Sequence, residues 1–245
     1  MTNKYDEQPE LAVLDGDIIV YRAACWADKV GATEDELRDR IAFDVHLWTP
    51  VFTPRMVCAL SCKSEDNYRR EVYPEYKANR KGKPRPVNLS LAGEIMREDH
   101  PVVTRDRLEA DDLIGLGMSS GLAVGVSLDK DIESCPGWFW NPDKMCFPVV
   151  ISEQLADEFF YKQWLMGDST DGIPGAKLVG KVKAGKIVEE NKPDNIVPAV
   201  LKEYEVRGHD YDYCVTMARL VRILRDGEYD RETGEITLYD PLPGQ

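Results

Sequence analysis

The sequence predicts an α/β fold in which helices flank a mostly parallel central sheet. Three observations carry that expectation. Apolar runs at residues 11–14, 56–60 and 122–128 have the length and composition of buried strands. Stretches with helical spacing separate them. Acids gather just past the strand ends, and sites in open α/β sheets lie beyond the carboxyl ends of the strands.

In order, residues 11–14 run into Asp15-Gly16-Asp17, and a helix is expected over 18–26. Residues 32–47 are charged and periodic, as a surface helix is. After the second strand (56–60) comes NYRREVYPEYKANRKGKPRPVN, whose prolines and Gly82 exclude one long helix. A helix over 90–98 leads to a short strand at 101–103. Glu109, Asp111 and Asp112 open a helix over 113–119. Acids at a helix start suit the dipole, but three in four positions repel one another unless they share a cation. The strand at 122–128 ends in Asp129-Lys130-Asp131. Strands are expected at 138–140 and 147–151. Ser152 caps a helix running to about 166, with Leu155, Ala156, Phe159, Phe160 and Trp164 on its core face. That helix delivers Asp168 and Asp171, then Gly172-Ile-Pro-Gly175 and a lysine-studded turn around Gly180. A polar link spans 192–197, a last helix 212–225 and a last strand 236–239.

At 245 residues the chain can bury a sizeable core. No apolar run approaches ~18 residues, so no membrane span is expected, and MTNKYDEQPE is not a secretory signal. The six cysteines are few and mostly lie in apolar runs, which points to reduced thiols and a cytoplasmic location. Cys58 and Cys62 have no partner pair for zinc, and His46, His100 and His209 are scattered outside any motif, which gives no support to a triad or a histidine-rich metal site. A net charge of -13 argues against nucleic acid on its face. Its distribution does not: residues 67–86 carry seven Lys and Arg against two Glu, interleaved with Tyr68, Tyr73 and Tyr76. Aromatic faces stack on bases while Lys and Arg track phosphates. A solvated basic loop is the plainer alternative.

Asp15 with Asp17, the Glu109, Asp111, Asp112 trio, the Asp129, Asp131 pair and the Asp168, Asp171 pair form an all-oxygen set for hard cations, Mg²⁺ or Mn²⁺. So many carboxylates suit two ions, the usual arrangement for in-line displacement at a phosphodiester.

With these motifs in view, the chain resembles the 5′-nuclease or flap endonuclease superfamily, with its PIN-like core, and within it the stand-alone 5′→3′ exonucleases of tailed bacteriophages. The matching pieces are LDGDIIVYRAA, PEYKANRKGKPRPV, LEADDLIG, SLDKDIE and GDSTDGIPG, in that order, with MARLVRILRDGEY as the closing helix. The resemblance implies a Mg²⁺-dependent 5′→3′ exonuclease or flap endonuclease with two metal ions and 5′-phosphate products. Its substrates would be duplex DNA with 5′ ends, nicks or flaps, and RNA primers in hybrids. Asp15, Glu109, Asp111 and Asp129 resemble ligands of the catalytic ion, with Asp112 in the same cluster; Asp131, Asp168 and Asp171 resemble those of the second. Lys77 and Arg80 match the basic pair on the reacting phosphate, Tyr76 an aromatic stacked on the substrate, and Lys81 and Lys83 extend the basic segment. From Gly172 the chain resembles a helix-three-turn-helix that binds the duplex strand through Gly180, Lys181 and Lys183, often with a K⁺ held by carbonyls.

The resemblance also implies a core over 1–166, with a gateway at about 66–90, packed as one unit with a DNA-binding region over 167–245, in a monomer. Three departures stand out, one being a gateway segment that is short and proline-rich where a long closed helical arch would need a continuous helix. The second strand runs into Leu60-Ser61-Cys62-Lys63 without the family's Asp, so that Asp66 or Glu65 must serve or the ligand is absent. Leu178 stands where the family turn has a glycine. Two rival readings follow: a relative that binds DNA but has lost catalysis, and a haloacid-dehalogenase-like phosphatase built on Asp15 and Asp17.

Overall fold

The computed structural model describes residues 4–191 and 195–242; the start of the expected link, 192–194, lies outside them. β1 (Leu11–Asp15) feeds directly into α1 (Gly16–Val30), because the Asp15 carboxylate accepts from the Ile18 amide and caps the helix. Gly16 is required at that junction: a Cβ there would meet the Ala59 carbonyl oxygen at 2.7 Å. α2 (Glu34–Trp48) starts on a capping box made by Thr33 and Glu36. Then come β2 (Arg55–Ala59), α3 (Tyr68–Val72), α4 (Leu89–Asp99), β3 (Val102–Val103) and α5 (Ala110–Ser119). β4 (Ala123–Val126), β5 (Gly137–Trp140) and β6 (Val149–Ile151) lead to α6 (Glu153–Met166), α7 (Lys181–Asn191), α8 (Ile196–Glu205) and α9 (Tyr211–Val221).

The six strands form one sheet in the order β3-β2-β1-β4-β5-β6, parallel throughout except for β6, which pairs antiparallel with β5. The parallel set brings the carboxyl ends of β1, β2 and β4 to one edge. Strand alternation sorts the core. Ala12 and Leu14 pack with Ile19, Leu37, Ile41 and Ile95 of α1, α2 and α4. Val13 faces the other way, onto Ile114 and Met118 of α5. A third cluster, around Trp164 and Tyr204, joins α6 to α9. The Trp164 indole N–H donates to the Cys214 carbonyl at 2.7 Å, so this large side chain is buried without an orphaned donor. Ile223 and Leu224, past α9, return to the cluster beneath α5.

Three expectations need correction. Residues 236–239 form no strand, only an isolated bridge from Tyr229 to Ile236. The last helix stops at Val221 rather than 225, since the extended segment beyond it gives the Leu224 amide to Asp112 Oδ1 (3.2 Å) and the Arg225 amide to Glu228 Oε2 (2.8 Å). Leu155 is exposed, because Ala156, Phe160 and Trp164 already define the packed stripe of α6.

Candidate active site

The expected acids meet at the carboxyl edge of the sheet. Asp15 is buried at the end of β1, with the Ser127 hydroxyl donating to its Oδ2 at 2.7 Å. Ser127 in turn accepts from the Asp129 amide at 3.0 Å, and Asp129 Oδ1 accepts from the Asp131 amide at 2.9 Å. The ends of β1 and β4 are thereby laced together. Glu109 and Asp111 flank the first residue of α5. Asp168 and Asp171 sit on the tight turn after α6, closed by paired bonds between Asp168 and Ile173 (2.8 and 2.7 Å). Glu109, Asp111, Asp131, Asp168 and Asp171 line one cleft together with Arg69, Tyr76 and Gln163.

The charges are crowded, and the proton equilibria show it. Burial, then the neighbouring Asp17 and Asp129 charges, push Asp15 up to about 7 against the Ser127 hydrogen bond. Burial, then the Asp15, Asp129 and Glu109 charges, raise Asp111 well above the carboxylate range. Asp131 is raised to about 6, chiefly by burial. Glu109 goes the other way. Burial would raise it, but the Lys77 and Arg69 charges and the Lys77 and Tyr76 hydrogen bonds hold it at about 2.

The basic segment folds onto these acids. Lys77 is ion-paired with Glu109 and lies 3.5 Å from Asp171; Arg80 is ion-paired with Asp171. The Lys77 amide donates to the Asp171 carbonyl at 2.8 Å, and Asn79 Nδ2 donates to the carbonyls of Ser169 (2.9 Å) and Thr170 (3.1 Å). A strap over residues 76–80 is thus stitched to the turn over 168–171. Lys130 pairs with Asp131. Among the described residues no three carboxylates stand grouped tightly enough to enclose an ion as they are, and these lysines and arginines sit among them. The donor set nevertheless fits a hard divalent cation. It is all oxygen, its mutual repulsion is of the kind a cation relieves, and the buried Gln163 Oε1 in the same cleft has no hydrogen-bond partner among the described residues.

Four sequence expectations change. Asp112 is fully buried, with both oxygens on the Arg69 guanidinium at 2.7 Å, so it holds the fold together rather than facing the cleft. Arg69 leaves the basic face for the same reason, and also donates to the carbonyls of Leu220 (3.1 Å) and Arg222 (2.6 Å). Tyr76 is buried, its hydroxyl donating to Glu109 Oε2 at 2.8 Å and lying 3.3 Å from Asp171 Oδ2, so it orients carboxylates where a stacked aromatic was expected. Glu65 and Asp66 are exposed on a 3₁₀ turn, away from the cleft lining.

Lys81 and Lys83 are exposed, as are Gly180, Lys181 and Lys183 at the start of α7; Lys183 pairs with Glu203 at 2.6 Å. Leu178 takes the left-handed conformation (φ 61°), so the turn keeps a glycine-type backbone without the glycine. Ser127, Ser61, Asn79 and Gln163 went unnoticed in the sequence. The only signal was position: a hydroxyl or amide within a few residues of an acid motif.

No family model matches the chain. It is 28% identical to the exodeoxyribonuclease of Enterobacteria phage T3 over 226 residues, 81% of this chain and 72% of that protein. It is 25% identical to the exonuclease of Escherichia phage T7, over 94% of this chain and 93% of that one. The fold superposes with a TM-score of 0.61 and 17% identity on the D15 protein of phage T5, solved with metal ions, covering 86% of this chain and 88% of the other. The architecture is accordingly the PIN-like α/β fold of the 5′-nucleases, and in sequence and fold the chain is similar to that superfamily. The phosphatase alternative loses its fold.

Proposed function

We propose that the chain is a divalent-metal-dependent nuclease acting on DNA from 5′ ends, as an exonuclease and at flaps. One observation carries this. Asp15, Glu109, Asp111, Asp129, Asp131, Asp168 and Asp171, drawn from four separate segments, gather at one sheet edge with Lys77 and Arg80 folded onto them. The names of the phage relatives point the same way.

Asp15, Glu109, Asp111 and Asp129 would hold one Mg²⁺ or Mn²⁺, and Asp131, Asp168 and Asp171 a second. When bound, the ions supply an activated water and neutralise the charge that builds on the phosphate. The chain's own groups do the rest. Lys77 and Arg80 leave their carboxylates for the scissile phosphate, which places positive charge where negative charge grows. Tyr76 holds Glu109 and Asp171 in place through its hydroxyl. Ser127 fixes Asp15 against Asp129. Lys81 and Lys83 track the backbone. The amino end of α7, with Gly180, Lys181 and Lys183, grips a phosphate of the duplex strand as the distal half of a helix-three-turn-helix. RNA in RNA–DNA hybrids, and a K⁺ on carbonyls near Gly180, belong to the same reading.

The test uses a 5′-labelled flap duplex with Mg²⁺, comparing wild type, Asp129→Ala and Lys77→Ala. Wild type should release labelled products carrying 5′-phosphates, and each variant should lose at least about a hundredfold in rate, the scale of one acid–base or oxyanion group. DNA binding in EDTA without cleavage in Mg²⁺ would replace this reading with a binding protein.

A further inference from the structure

We propose that Asp17 supplies, from the first turn of α1, the carboxylate that the carboxyl end of β2 lacks, and so completes the ligand set of Asp15, Glu109, Asp111 and Asp129. The inference rests on the nuclease reading above. β2 leaves the sheet through Leu60 and Ser61 with no acid. The acids that follow, Glu65 and Asp66, point to solvent from the 3₁₀ turn.

Asp17 reaches the same place from the neighbouring strand. β1 and β2 run parallel with Asp15 opposite Ala59, so the two strand ends are adjacent. Gly16 has no side chain to hold α1 away, and the first turn lies against the Ala59 carbonyl. Asp17 Oδ1 and Oδ2 each lie 3.3 Å from the Ser61 amide nitrogen. That is two residues past the end of β2, where a strand-end acid would project. The same Ser61 accepts from the Ala110 amide through its hydroxyl at 2.9 Å, and Ala110 stands between Glu109 and Asp111. Ser61 therefore ties Asp17 to the start of α5, which carries two of the expected ligands. The Glu109 and Lys77 charges both act on Asp17, and the Asp17 charge acts on Asp15.

A purely structural role fits less well. Charge-assisted hydrogen bonds to a carboxylate run at about 2.7–2.9 Å. Asp17 has the Ser61 hydroxyl and the Ser61 amide as partners, and two oxygens sharing that amide at 3.3 Å make weak use of a half-buried negative charge and leave lone pairs for a stronger partner.

The experiment is calorimetric titration of the intact protein with Mn²⁺, with thermal unfolding in EDTA alongside. Asp17→Asn keeps an oxygen for the Ser61 amide and removes the charge. Its Mn²⁺ affinity should fall about tenfold or more, with no loss of melting temperature in EDTA. Asp66→Asn and Glu65→Gln should bind as wild type does. Wild-type affinity in Asp17→Asn, or loss in Asp66→Asn or Glu65→Gln instead, would overturn the inference alone. Wild type that binds no Mn²⁺ would overturn the nuclease reading and the inference together. Should Asp17→Asn fail to fold, Asp17→Ser carries the same comparison.

Discussion

Arg69 and Asp112 are buried in a two-pronged ion pair, and the guanidinium also takes the carbonyls that end α9. Removing one partner leaves an uncompensated charge in the core, so Arg69→Met should cost about 3–5 kcal/mol of stability, read by urea unfolding. Asp112→Asn should be similarly destabilised, yet its folded fraction should bind Mn²⁺ as wild type does, since its oxygens do not face the cleft. The raised acids give a second residue-scale test. A carboxyl whose folded pKa lies above its unfolded value stabilises below the unfolded value, and the contribution is lost as pH rises through the folded one. With Asp15 at about 7 and Asp131 at about 6, the metal-free protein should lose melting temperature between pH 4 and 7. Glu109, held at about 2, acts only below that window: its contribution is present above the unfolded value and lost as pH falls towards 2. Mg²⁺ binds the ionised forms, so its stabilising effect should be larger at pH 8 than at pH 5. Melting curves with Mg²⁺ and with EDTA at both pH values check the sign.

The turn between α6 and α7 carries its own strain. Leu178 is exposed and left-handed, a conformation that costs a side-chain-bearing residue about 1–2 kcal/mol. Leu178→Gly removes that cost without losing packing and gives back part of it in chain entropy. A net gain of up to about 1 kcal/mol is expected, and Leu178→Val, β-branched, should destabilise; chemical denaturation of the two variants decides. Elements of this kind were legible in the sequence to the extent that they are local. Strands ending in acids, the Ser152 cap and the interruption of the basic segment all follow from neighbours in the chain. What escaped depends on contacts between distant residues. Ser127 meets Asp15 across 112 positions and Asp17 meets Ser61 across 44. Composition marks residues 67–86 as basic and aromatic, but cannot say that Tyr68, Arg69 and Tyr76 turn inward while Lys81 and Lys83 face solvent. The apolar spacing of the last helix continues through Leu224, but the helix ends at Val221 because a buried carboxylate takes the Leu224 amide.

At the scale of the molecule, a chain of net charge -13 is expected to bind a polyanion. The arrangement resolves this. Eight of the 44 acids crowd the sheet edge, where divalent cations would offset their charge, while Lys81 and Lys83 beyond the strap and the start of α7 present lysines outward. Binding of duplex DNA with Ca²⁺ in place of Mg²⁺ should therefore weaken steeply with salt, and Lys81→Ala with Lys83→Ala should flatten the slope by about two units. No helix among the described residues is long and apolar enough to cross a membrane. Polarity of attack tests the central claim most directly, measured on one linear duplex labelled in turn at its 5′ and its 3′ ends, with Mg²⁺. The expected result is early release of the 5′ label as short products while the 3′-labelled strand shortens progressively from its far end. Early loss of the 3′ label, or no release from either end at any Mg²⁺ concentration, would contradict it.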